Sequence, residues 1–308
     1  MRTLGGATMG TTWSVRYAGQ AEPASLRPGI EARLERVIAQ MSGWQAHSDL
    51  CRFNAAPAGS RHRLPAEFAT VLACALEMAE LSGGAFDPSM APLVDLWGFG
   101  PVPAAKPIPE ADEVAAALAD VGWRRLRLEE GCLDQQGVTR LDFSGIAKGY
   151  AVDLVAEYLA SIGLVSFLVE IGGELRGQGM KPDGSPWWVA LEAVPGAVRT
   201  EEDFLLALHG LSVATSGDYR RFFEQDGHRY GHTLDPRTGW PVANSLASVT
   251  VLHPSCMRAD AWATALFVLG PQAGLELATR HGIGALLVSR EEGRLVEHMS
   301  PAFASMLD

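Results

Sequence analysis

Apolar residues recur every three or four positions along several stretches of the chain, which is the spacing of one face of an α-helix. In residues 30–41 the apolar positions are Ile30, Leu34, Val37, Ile38 and Met41. Residues 65–81 begin with proline and are followed by Gly83-Gly84, which is typical of a helix start and stop. The pattern predicts further helices over residues 144–162, capped by Ser144 and ended by Gly163, and over residues 257–269 and 272–281.

Other stretches alternate apolar and polar residues or carry short apolar runs, as β-strands do. The sequence predicts strands over residues 11–18, 123–128, 138–143, 167–171, 187–191, 204–208 and 246–252. Asp226-Gly227 separates two more extended stretches, 219–224 and 228–234, and is typical of a hairpin turn. Residues 96–109, rich in glycine and proline, are predicted to form a loop, and two short strands should end the chain. Helices mixed with hairpins indicate an α+β fold with mixed, largely antiparallel sheets.

Composition narrows the class of protein. The chain has 308 residues, 47% of them hydrophobic and 20% charged, which suits one large or two closely packed domains. The net charge of −11 argues against a nucleic-acid partner, because a phosphate-binding surface needs clustered Lys and Arg. A small phosphate-bearing ligand remains compatible, since a metal ion can supply positive charge locally. The longest apolar runs, 164–169 and 261–270, are shorter than the ~20 residues of a membrane-spanning helix.

Cysteine spacing and the first residues bear on the compartment. No two cysteines form a CxxC pair, so a disulfide framework or a structural zinc site is not expected from Cys51, Cys74, Cys132 and Cys256. The first six residues hold no apolar signal-peptide core, and the expected location is the cytoplasm. If a leader has been removed, the location would be periplasmic or membrane-anchored, and membrane association would depend on that leader or on a lipid anchor.

Residues 141–153, LDFSGIAKGYAVD, place an acid and a lysine around a predicted helix start. Asp142 would lie at the mouth of a turn, and Lys148 would lie in the first helical turn. Free backbone N–H groups together with a lysine favour anion binding at such a place. The phosphate-binding pattern GxxxxGK[ST] is absent. A capped helix with a solvated lysine would give the same spacing, so both interpretations stay open at this point.

Residues 259–264, ADAWAT, place a carboxylate and a hydroxyl on one helix face, because positions i and i+4 are neighbours there. Asp260 and Thr264 are both hard oxygen donors, which suit Mg²⁺, an ion that takes few protein carboxylates besides phosphate and water. The alternative is structural. The negative charge of Asp260 would interact favourably with the dipole at a helix N-terminus, and the Thr264 hydroxyl would donate a hydrogen bond to a backbone carbonyl of the preceding turn.

A third group of polar residues combines 215–220, TSGDYR, with 231–241, GHTLDPRTGWP. Its glycine, proline and aspartate residues indicate tight turns at the ends of the predicted hairpin. His232 is the histidine embedded in this group, and it is either a reactive base or a hydrogen-bonding loop residue. Two glycine pairs, 83–84 and 172–173, allow close approach of a ligand. The aromatic residues that could wall a ligand ring, or simply fill the core, are Trp44, Phe86, Trp97 and Phe99.

Taken in order, these segments resemble the FAD:protein FMN transferase family, also called ApbE-like. The matching blocks span residues 9–270 in family order. They are MGTTW (9–13), MSGWQAHSDLCRFN (41–54), GAFDP (84–88) with LWGF (96–99), LDFSGIAKGYAVD (141–153), IGGE (171–174), residues 214–241 and residues 257–270. The resemblance implies one transferase domain over residues 1–308 with an ApbE-like, T-fold-like architecture. A division into two integrated subdomains, about 1–105 and 106–308, is left open.

The resemblance also implies roles for individual residues. The residues that would contact FAD are Met9, Trp44, Ala85, Phe86, Asp87, Asp142, Lys148 and Leu234. The ligands of Mg²⁺ would be the backbone carbonyl of Gly145 and the side chains of Asp260 and Thr264. Some relatives carry a further oxygen ligand at the position of Ala263, which here offers only its backbone. Many relatives also carry an exported leader and a lipid-bearing cysteine upstream of the first block, so the two expected locations given above both stay open.

The implied reaction is Mg²⁺-dependent transfer of the FMN half of FAD to a threonine, with release of AMP. The acceptor would be a flavoprotein with a Ser/Thr-Gly-Ala-Thr type motif. A threonine hydroxyl is a poor nucleophile, and His232 is the candidate base that removes its proton. A metal-dependent FAD pyrophosphatase, in which water replaces the threonine, would need the same residues. A non-catalytic FAD carrier is disfavoured, because Asp260 and Thr264 are both present.

Overall fold

The computed structural model describes residues 1–101, 108–192, 194 and 205–306. Its helices are α1 (Pro23–Met41), α2 (Asp49–Asn54), α3 (Ala66–Leu81), α4 (Ala91–Leu96), α5 (Ala111–Asp120), α6 (Ala147–Ser161), α7 (Cys256–Leu269), α8 (Pro271–Arg280) and α9 (Pro301–Ala304). Among these residues, none of the helices combines the length and the apolar character needed to cross a bilayer.

The strands of the described residues form one large sheet and three small ones. The large sheet has the order β1 (Arg2–Thr8), β2 (Thr11–Tyr17), β6 (Phe167–Ile171), β7 (Glu174–Gln178), β10 (Leu211–Gly217), β13 (Leu246–His253), β14 (Gly284–Glu291) and β15 (Arg294–Met299). Every neighbouring pair in it is antiparallel. The small sheets contain β3 (Arg61–Arg63), β4 (Leu128–Glu129) and β5 (Cys132–Asp134), then β8 (Trp187–Ala190) and β9 (Leu205–Leu208), then β11 (Phe222–Gln225) and β12 (His228–Gly231). The α+β prediction with largely antiparallel sheets is confirmed.

Each face of the large sheet packs against a hydrophobic core. Side chains alternate between the two faces along each strand, so neighbouring residues belong to different cores. In β6, Val169 faces the main core, which α1, α3, α6, α7 and α8 cover, whereas Leu168 faces a second core. The second core is closed by the β8–β9 ribbon and by Phe303 of α9. In β13 the same alternation separates Val251 from Leu252. The large sheet is therefore a central layer between helices and a smaller cover.

A third core lies apart from the large sheet. It joins α4, α5 and the β11–β12 hairpin through Leu93, Trp97, Phe99, Val114 and Leu234. Asp226 (φ 52°) and Gly227 (φ 76°) make the hairpin turn with positive φ angles, as the sequence predicts. The third core places the polar segment around His232 next to α4.

Two predicted strands are wrong. In the stretch 123–128, residues 123–125 form a 3₁₀ turn and only Leu128 belongs to a strand, while Trp123 N donates to Asp87 Oδ2 at 3.2 Å rather than to a neighbouring strand. Residues 138–143 make only an isolated bridge between Arg140 and Met90. The side-chain amide of Asn54 bonds both Leu141 N (2.7 Å) and Leu141 O (2.9 Å), so a side chain takes the place of a neighbouring strand.

The helix predictions hold with shifted ends. The first predicted helix begins seven residues earlier, at Pro23, where proline occupies the first turn. Ser144 does not cap α6, because its N–H donates to Asp142 Oδ1 at 2.9 Å and the helix begins at Ala147. The predicted loop over 96–109 lies in part outside the described residues, as does the first residue of the strand predicted over 204–208.

Candidate functional site

The start of α6 is built as a tight turn around Asp142. Asp142 Oδ1 accepts hydrogen bonds from both N and Oγ of Ser144, which folds the chain back just before the helix. Asp142 N donates to Pro88 O at 2.9 Å and so ties this turn to the AFDP segment. Two predicted FAD-contacting segments therefore meet at this point, although they are more than fifty residues apart in the sequence.

The starts of α6 and α7 contact each other through Asp260. Its Oδ2 accepts from Gly149 N in the first turn of α6, at 3.0 Å. A Cβ on Gly149 would lie 2.3 Å from Cys256 O and 2.9 Å from Asp260 Cβ, so only glycine permits this approach. Burial raises the pKa of Asp260, and the Lys148 ammonium and the Gly149 N–H act in the opposite direction. Asp260 thus bridges two helices.

The start of α7 is capped by other residues, which bears on the structural alternative for Asp260. Ser255 Oγ accepts from Arg258 N at 3.4 Å. Asp153, on α6, accepts from Cys256 N and Met257 N, both at 3.0 Å. These two side chains accept hydrogen bonds from the free N–H groups at the start of α7. In the structural alternative, Asp260 would have been the residue that accepts them.

Oxygen donors gather around Thr264, one turn after Asp260 on α7. A Cβ on Gly145 would lie 2.9 Å from Thr264 Oγ1 and 3.4 Å from Phe86 Cε2, so the backbone of Gly145 passes close to both. Ser216 Oγ lies 3.4 Å from Thr264 Oγ1. The described residues contain no cluster of three or more His, Cys, Asp or Glu side chains suited to a metal. A carboxylate, a hydroxyl and a backbone carbonyl would fit Mg²⁺, which keeps several ligand positions for phosphate and water.

Lys148 is not a solvated lysine. Its ammonium forms an ion pair with Glu174 Oε1, and only 32% of its side-chain surface is exposed. Burial opposes its charge, but the carboxylates of Glu174 and Asp260 outweigh this effect and raise the pKa of Lys148. A Cβ on Gly172 would lie 2.9 Å from Thr11 Cγ2 and 3.5 Å from Lys148 Cδ. The β1–β2 turn that carries Met9 therefore lies beside the lysine.

His232 is held by the backbone of Arg221. Both its N–H and its ring Nδ1 lie within hydrogen-bonding distance of Arg221 O, at 3.0 and 3.1 Å. Nδ1 must carry the proton to donate to this carbonyl, which leaves the lone pair on Nε2. Burial, together with the positive charges of Arg221, Lys148 and Arg220, lowers the pKa of His232 to about 4. The imidazole is therefore neutral at neutral pH.

An open cavity of about 410 Å³ adjoins His232 and is lined by Trp97, Gly98, Phe99, Arg220, Arg221, Phe222 and Phe223. The rings of Phe99 and His232 are 6.3 Å apart between centroids, edge to face. Leu234 is buried in the same core as Trp97 and Phe99, and Trp97 Nε1 donates to Gly239 O at 2.9 Å. The cavity offers room for part of a ligand between aromatic and positively charged side chains.

The remaining predicted residues occupy different settings. Ala85 and Phe86 are buried, whereas Trp44 lies on the loop after α1 with 65% of its surface exposed. The Asp87 carboxylate accepts from Ser89 N and Oγ and from Trp123 N. Burial raises the pKa of Asp87, and these hydrogen bonds oppose that rise.

The structure therefore brings most of the predicted residues into one region, whereas Trp44 lies on an exposed loop with no described contact to them. Asp260, Thr264, Gly145, Phe86 and Lys148 are linked by the contacts described above. The sequence reasoning did not assign a role to Glu174 or to Arg220, which donates to Gly172 O at 2.8 Å. An acid directly after a glycine pair was the signal that could have identified Glu174, since such a turn sets its side chain near any ligand.

Fold and site together define an α+β protein in which oxygen donors and a lysine gather at the paired starts of two helices. A model of the ApbE family matches residues 9–287. The chain belongs to this family, and the resemblance seen in the sequence blocks is confirmed. A curated FAD:protein FMN transferase of Vibrio cholerae is 39% identical over 308 residues, which cover 99% of this chain and 92% of that protein. The curated FAD:protein FMN transferase of Haemophilus influenzae is 37% identical, with 99% and 91% covered.

Solved structures agree with this assignment over the whole chain. The flavinyl transferase ApbE of Pseudomonas stutzeri, in its apo form, is 42% identical with a TM-score of 0.92, covering 99% of this chain and 96% of that chain. The ApbE protein of Thermotoga maritima is 29% identical with a TM-score of 0.87, covering 99% and 98%. The ApbE-like architecture that the sequence implied is therefore confirmed.

Proposed function

We propose that the protein transfers the FMN half of FAD to a threonine of an acceptor protein and releases AMP, with Mg²⁺ as a required ion. The names of its relatives support FAD as substrate and a protein as acceptor. The observation that carries the proposal is the meeting of Asp260, Thr264, Gly145 and Lys148 at the starts of α6 and α7. That arrangement combines hard oxygen donors with a fixed positive charge, which a diphosphate needs.

The charges of the site support a bound cation. Lys148 is surrounded by two buried carboxylates, Glu174 and Asp260, which together exceed its single positive charge. A diphosphate would add further negative charge to this low-dielectric region, where like charges repel strongly. Magnesium held by Asp260, Thr264 and the Gly145 carbonyl would balance the diphosphate and stabilise the charge that grows on its oxygens during transfer.

The acceptor threonine would react through His232. The threonine hydroxyl oxygen forms a bond to the FMN-side phosphorus of FAD. The bond from this phosphorus to the bridging oxygen breaks, and AMP leaves. The hydroxyl proton passes to Nε2 of His232, whose lone pair is available because Nδ1–H donates to Arg221 O. The product is a threonine phosphoester of FMN, and the numbers of atoms and charges balance.

The low pKa of His232 fits this role once an anion is bound. A pKa of about 4 makes the free imidazole neutral but a weak base at neutral pH. Lys148, Arg220 and Arg221 contribute to this lowering. An anionic diphosphate near these side chains would offset their charge and raise the pKa of His232 toward the range in which general bases are most effective.

Other residues would orient the nucleotide. Lys148 would donate to phosphate oxygens, and Asp142 and Asp87 would fix the turns that frame the pocket. Met9, Ala85, Phe86 and Leu234 would supply apolar surface against the flavin nucleotide. The exposed Trp44 would stack on a flat ring, which would bury an indole that is otherwise in water.

An acceptor assay tests the proposal and separates it from FAD hydrolysis. The protein would be mixed with FAD and Mg²⁺, with and without a small acceptor domain bearing a Ser/Thr-Gly-Ala-Thr motif. AMP would be measured, and flavin fluorescence would be read on a denaturing gel. Acceptor-bound flavin and an equal amount of AMP are expected. AMP without bound flavin would replace the transferase by an FAD pyrophosphatase, and absence of both products would overturn the proposal.

A further inference from the structure

A turn of two glycines sets Glu174 opposite Lys148. Gly172 and Gly173 join β6 to β7 with φ angles of 60° and 103°, which favour glycine. A Cβ on Gly173 would lie 2.7 Å from both terminal nitrogens of Arg220, and one on Gly172 would touch Thr11. Glu170 Oε1, on β6, accepts a hydrogen bond from Gly173 N at 3.0 Å and so stabilises the turn. Glu174, the first residue of β7, therefore has a closely determined position.

The Glu174 carboxylate is buried and only half satisfied. Its side chain is 3% exposed, and Oε1 is paired with Lys148 Nζ. Within the part of the chain that the structure describes, Oε2 is buried and has no hydrogen-bond partner. A buried carboxylate oxygen without a partner is costly, and native structures retain few such groups without a functional reason.

A second buried acid nearby shows what a structural carboxylate looks like in this fold. Asp153 accepts four hydrogen bonds, from Arg176 Nη1, Ser255 Oγ, Cys256 N and Met257 N. Its two oxygens are both satisfied, and it joins α6 to α7. Among the residues that the structure describes, Glu174 instead forms one ion pair, with Lys148. Stability of the fold therefore does not account for its placement.

We propose that Glu174 is a positioning residue that holds the Lys148 ammonium beside Asp260, aimed at the substrate diphosphate. Lysine has a flexible four-carbon stem, and an unanchored ammonium would sample many directions. One N–H is taken by Glu174, and two remain to donate to phosphate oxygens. This inference rests on the proposed function, since it requires a diphosphate to bind at Lys148.

The inference predicts a distinctive effect of removing the charge. Glu174→Gln removes a negative charge from the site, so FAD should bind as tightly as before or more tightly. Lys148 would lose its fixed direction, and FMN transfer should slow by up to about 100-fold, the loss that a misplacement of about 1 Å can cause. A residue with only a structural role would lower stability without this opposite behaviour of binding and rate.

Chemical labelling gives a readout that does not depend on activity. The chain contains only three lysines, Lys106, Lys148 and Lys181. An amine-acylating reagent, followed by peptide mass spectrometry, would report the labelling rate of Lys148 relative to Lys181. Glu174→Gln should raise this ratio several-fold, because the ammonium loses its carboxylate and its pKa falls. Glu170→Gln removes the charge of the neighbouring acid but keeps a side-chain oxygen that can accept from Gly173 N, so it is the matched control and should leave the ratio and the transfer rate near wild type.

The outcomes separate this inference from the function on which it rests. Faster Lys148 labelling, slower transfer and undiminished FAD affinity in Glu174→Gln would support it. Wild-type labelling or a wild-type transfer rate in that variant would overturn it, provided the wild-type protein transfers FMN. If the wild-type protein transfers no FMN to any acceptor, the proposed function fails first. If Glu174→Gln does not fold, Glu174→Asp can be tested in the same way. Its side chain is shorter by one methylene, so its carboxylate would lie farther from the Lys148 ammonium.

Discussion

Asp260 illustrates how contacts decide between two roles that a sequence leaves open. A carboxylate near the start of a helix usually answers the N–H groups of that helix. Here Ser255 and Asp153 accept from the N–H groups at the start of α7, while Asp260 accepts from Gly149 N of α6. Its position on the face shared with Thr264 was predictable from the i, i+4 spacing. Its partner across the helix pair was not, because that contact joins residues 111 positions apart.

The first prediction concerns the charge of Asp260. Asp260→Asn keeps an oxygen that can accept from Gly149 N but removes the negative charge. We expect FMN transfer at limiting Mg²⁺ to fall by roughly 10²–10³-fold, because a charge that would hold the ion is lost. FAD affinity should change much less, since Lys148 and the apolar walls remain. Rates and FAD titrations measure the two effects.

Asp153→Asn is the matched control for that experiment. It removes the charge of the other buried aspartate at the same helix junction, where Arg176 would lose its partner. It should cost about 3 kcal/mol of stability and leave the folded fraction active. A folded Asp260→Asn protein with wild-type transfer at limiting Mg²⁺ would refute the assignment of Asp260 as a metal ligand.

The second prediction concerns the imidazole of His232. His232→Gln keeps a side chain that can donate to Arg221 O but has no basic nitrogen. Transfer should slow by roughly 10²–10⁴-fold with nearly normal FAD affinity, as expected for a general base. Single-turnover transfer and flavin-fluorescence titration separate rate from binding. Equal losses of both would show that His232 is a structural loop residue.

The third prediction follows from the lowered pKa of the same histidine. The pKa falls from an ordinary 6.5 to about 4 on folding, so the unfolded chain binds more protons between these values. His232 should therefore contribute stability above pH 6.5 that is lost as the pH falls toward 4. Thermal unfolding at pH 7 and pH 4.5 should show a larger drop for wild type than for His232→Gln. An equal drop in both proteins would exclude burial of a neutral imidazole.

At the scale of elements, the long helices were predictable and the short strands were not. Helices α3, α6 and α7 carry apolar faces over fourteen residues or more, so their periodicity outweighs local exceptions. The stretch 138–143 is apolar enough for a strand, yet the Asn54 side chain supplies its hydrogen bonds. Strand β1, with two glycines, lacked a strand pattern and forms because β2 pairs with it along its full length.

The fourth prediction tests the close approach of α6 and α7. Gly149→Ala would place a methyl group 2.3 Å from Cys256 O, which the backbone can relieve only by moving the helices apart. We expect a loss of about 1–3 kcal/mol in stability and a much larger fractional loss of transfer, because Asp260 would be displaced from Lys148. Chemical denaturation and the acceptor assay measure these effects.

Gly163→Ala provides the control at the other end of α6. Gly163 has a positive φ of 85° with open space where a Cβ would be, so the change strains the backbone without a clash. It should cost about 1 kcal/mol and leave the transfer rate of the folded protein unchanged. Similar losses of transfer in the two variants would mean that global stability, rather than helix spacing, governs activity.

At the scale of the whole molecule, the site is assembled from segments that the chain separates widely. Residues near position 9 meet residues near 148 and 172, and residues near 145 meet Phe86 and Thr264. The sequence blocks indicated which segments matter, through their resemblance to a family. Local patterns could not show how these segments meet, because the antiparallel sheet places β2 next to β6 and β7 next to β10. Long-range pairing of this kind carries no periodic signal.

The last prediction is that metal and FAD stabilise the whole fold together. A ligand that binds only the folded chain raises its stability by mass action, and the two proposed ligands share the junction of α6 and α7. FAD with Mg²⁺ should therefore raise the thermal midpoint more than the sum of the separate shifts, and Asp260→Asn should remove most of the excess.

Excess EDTA should abolish transfer, and Mg²⁺ should restore it. Ca²⁺ should restore it poorly, because it prefers more ligands at longer distances. Additive shifts with full turnover in EDTA would refute a metal role.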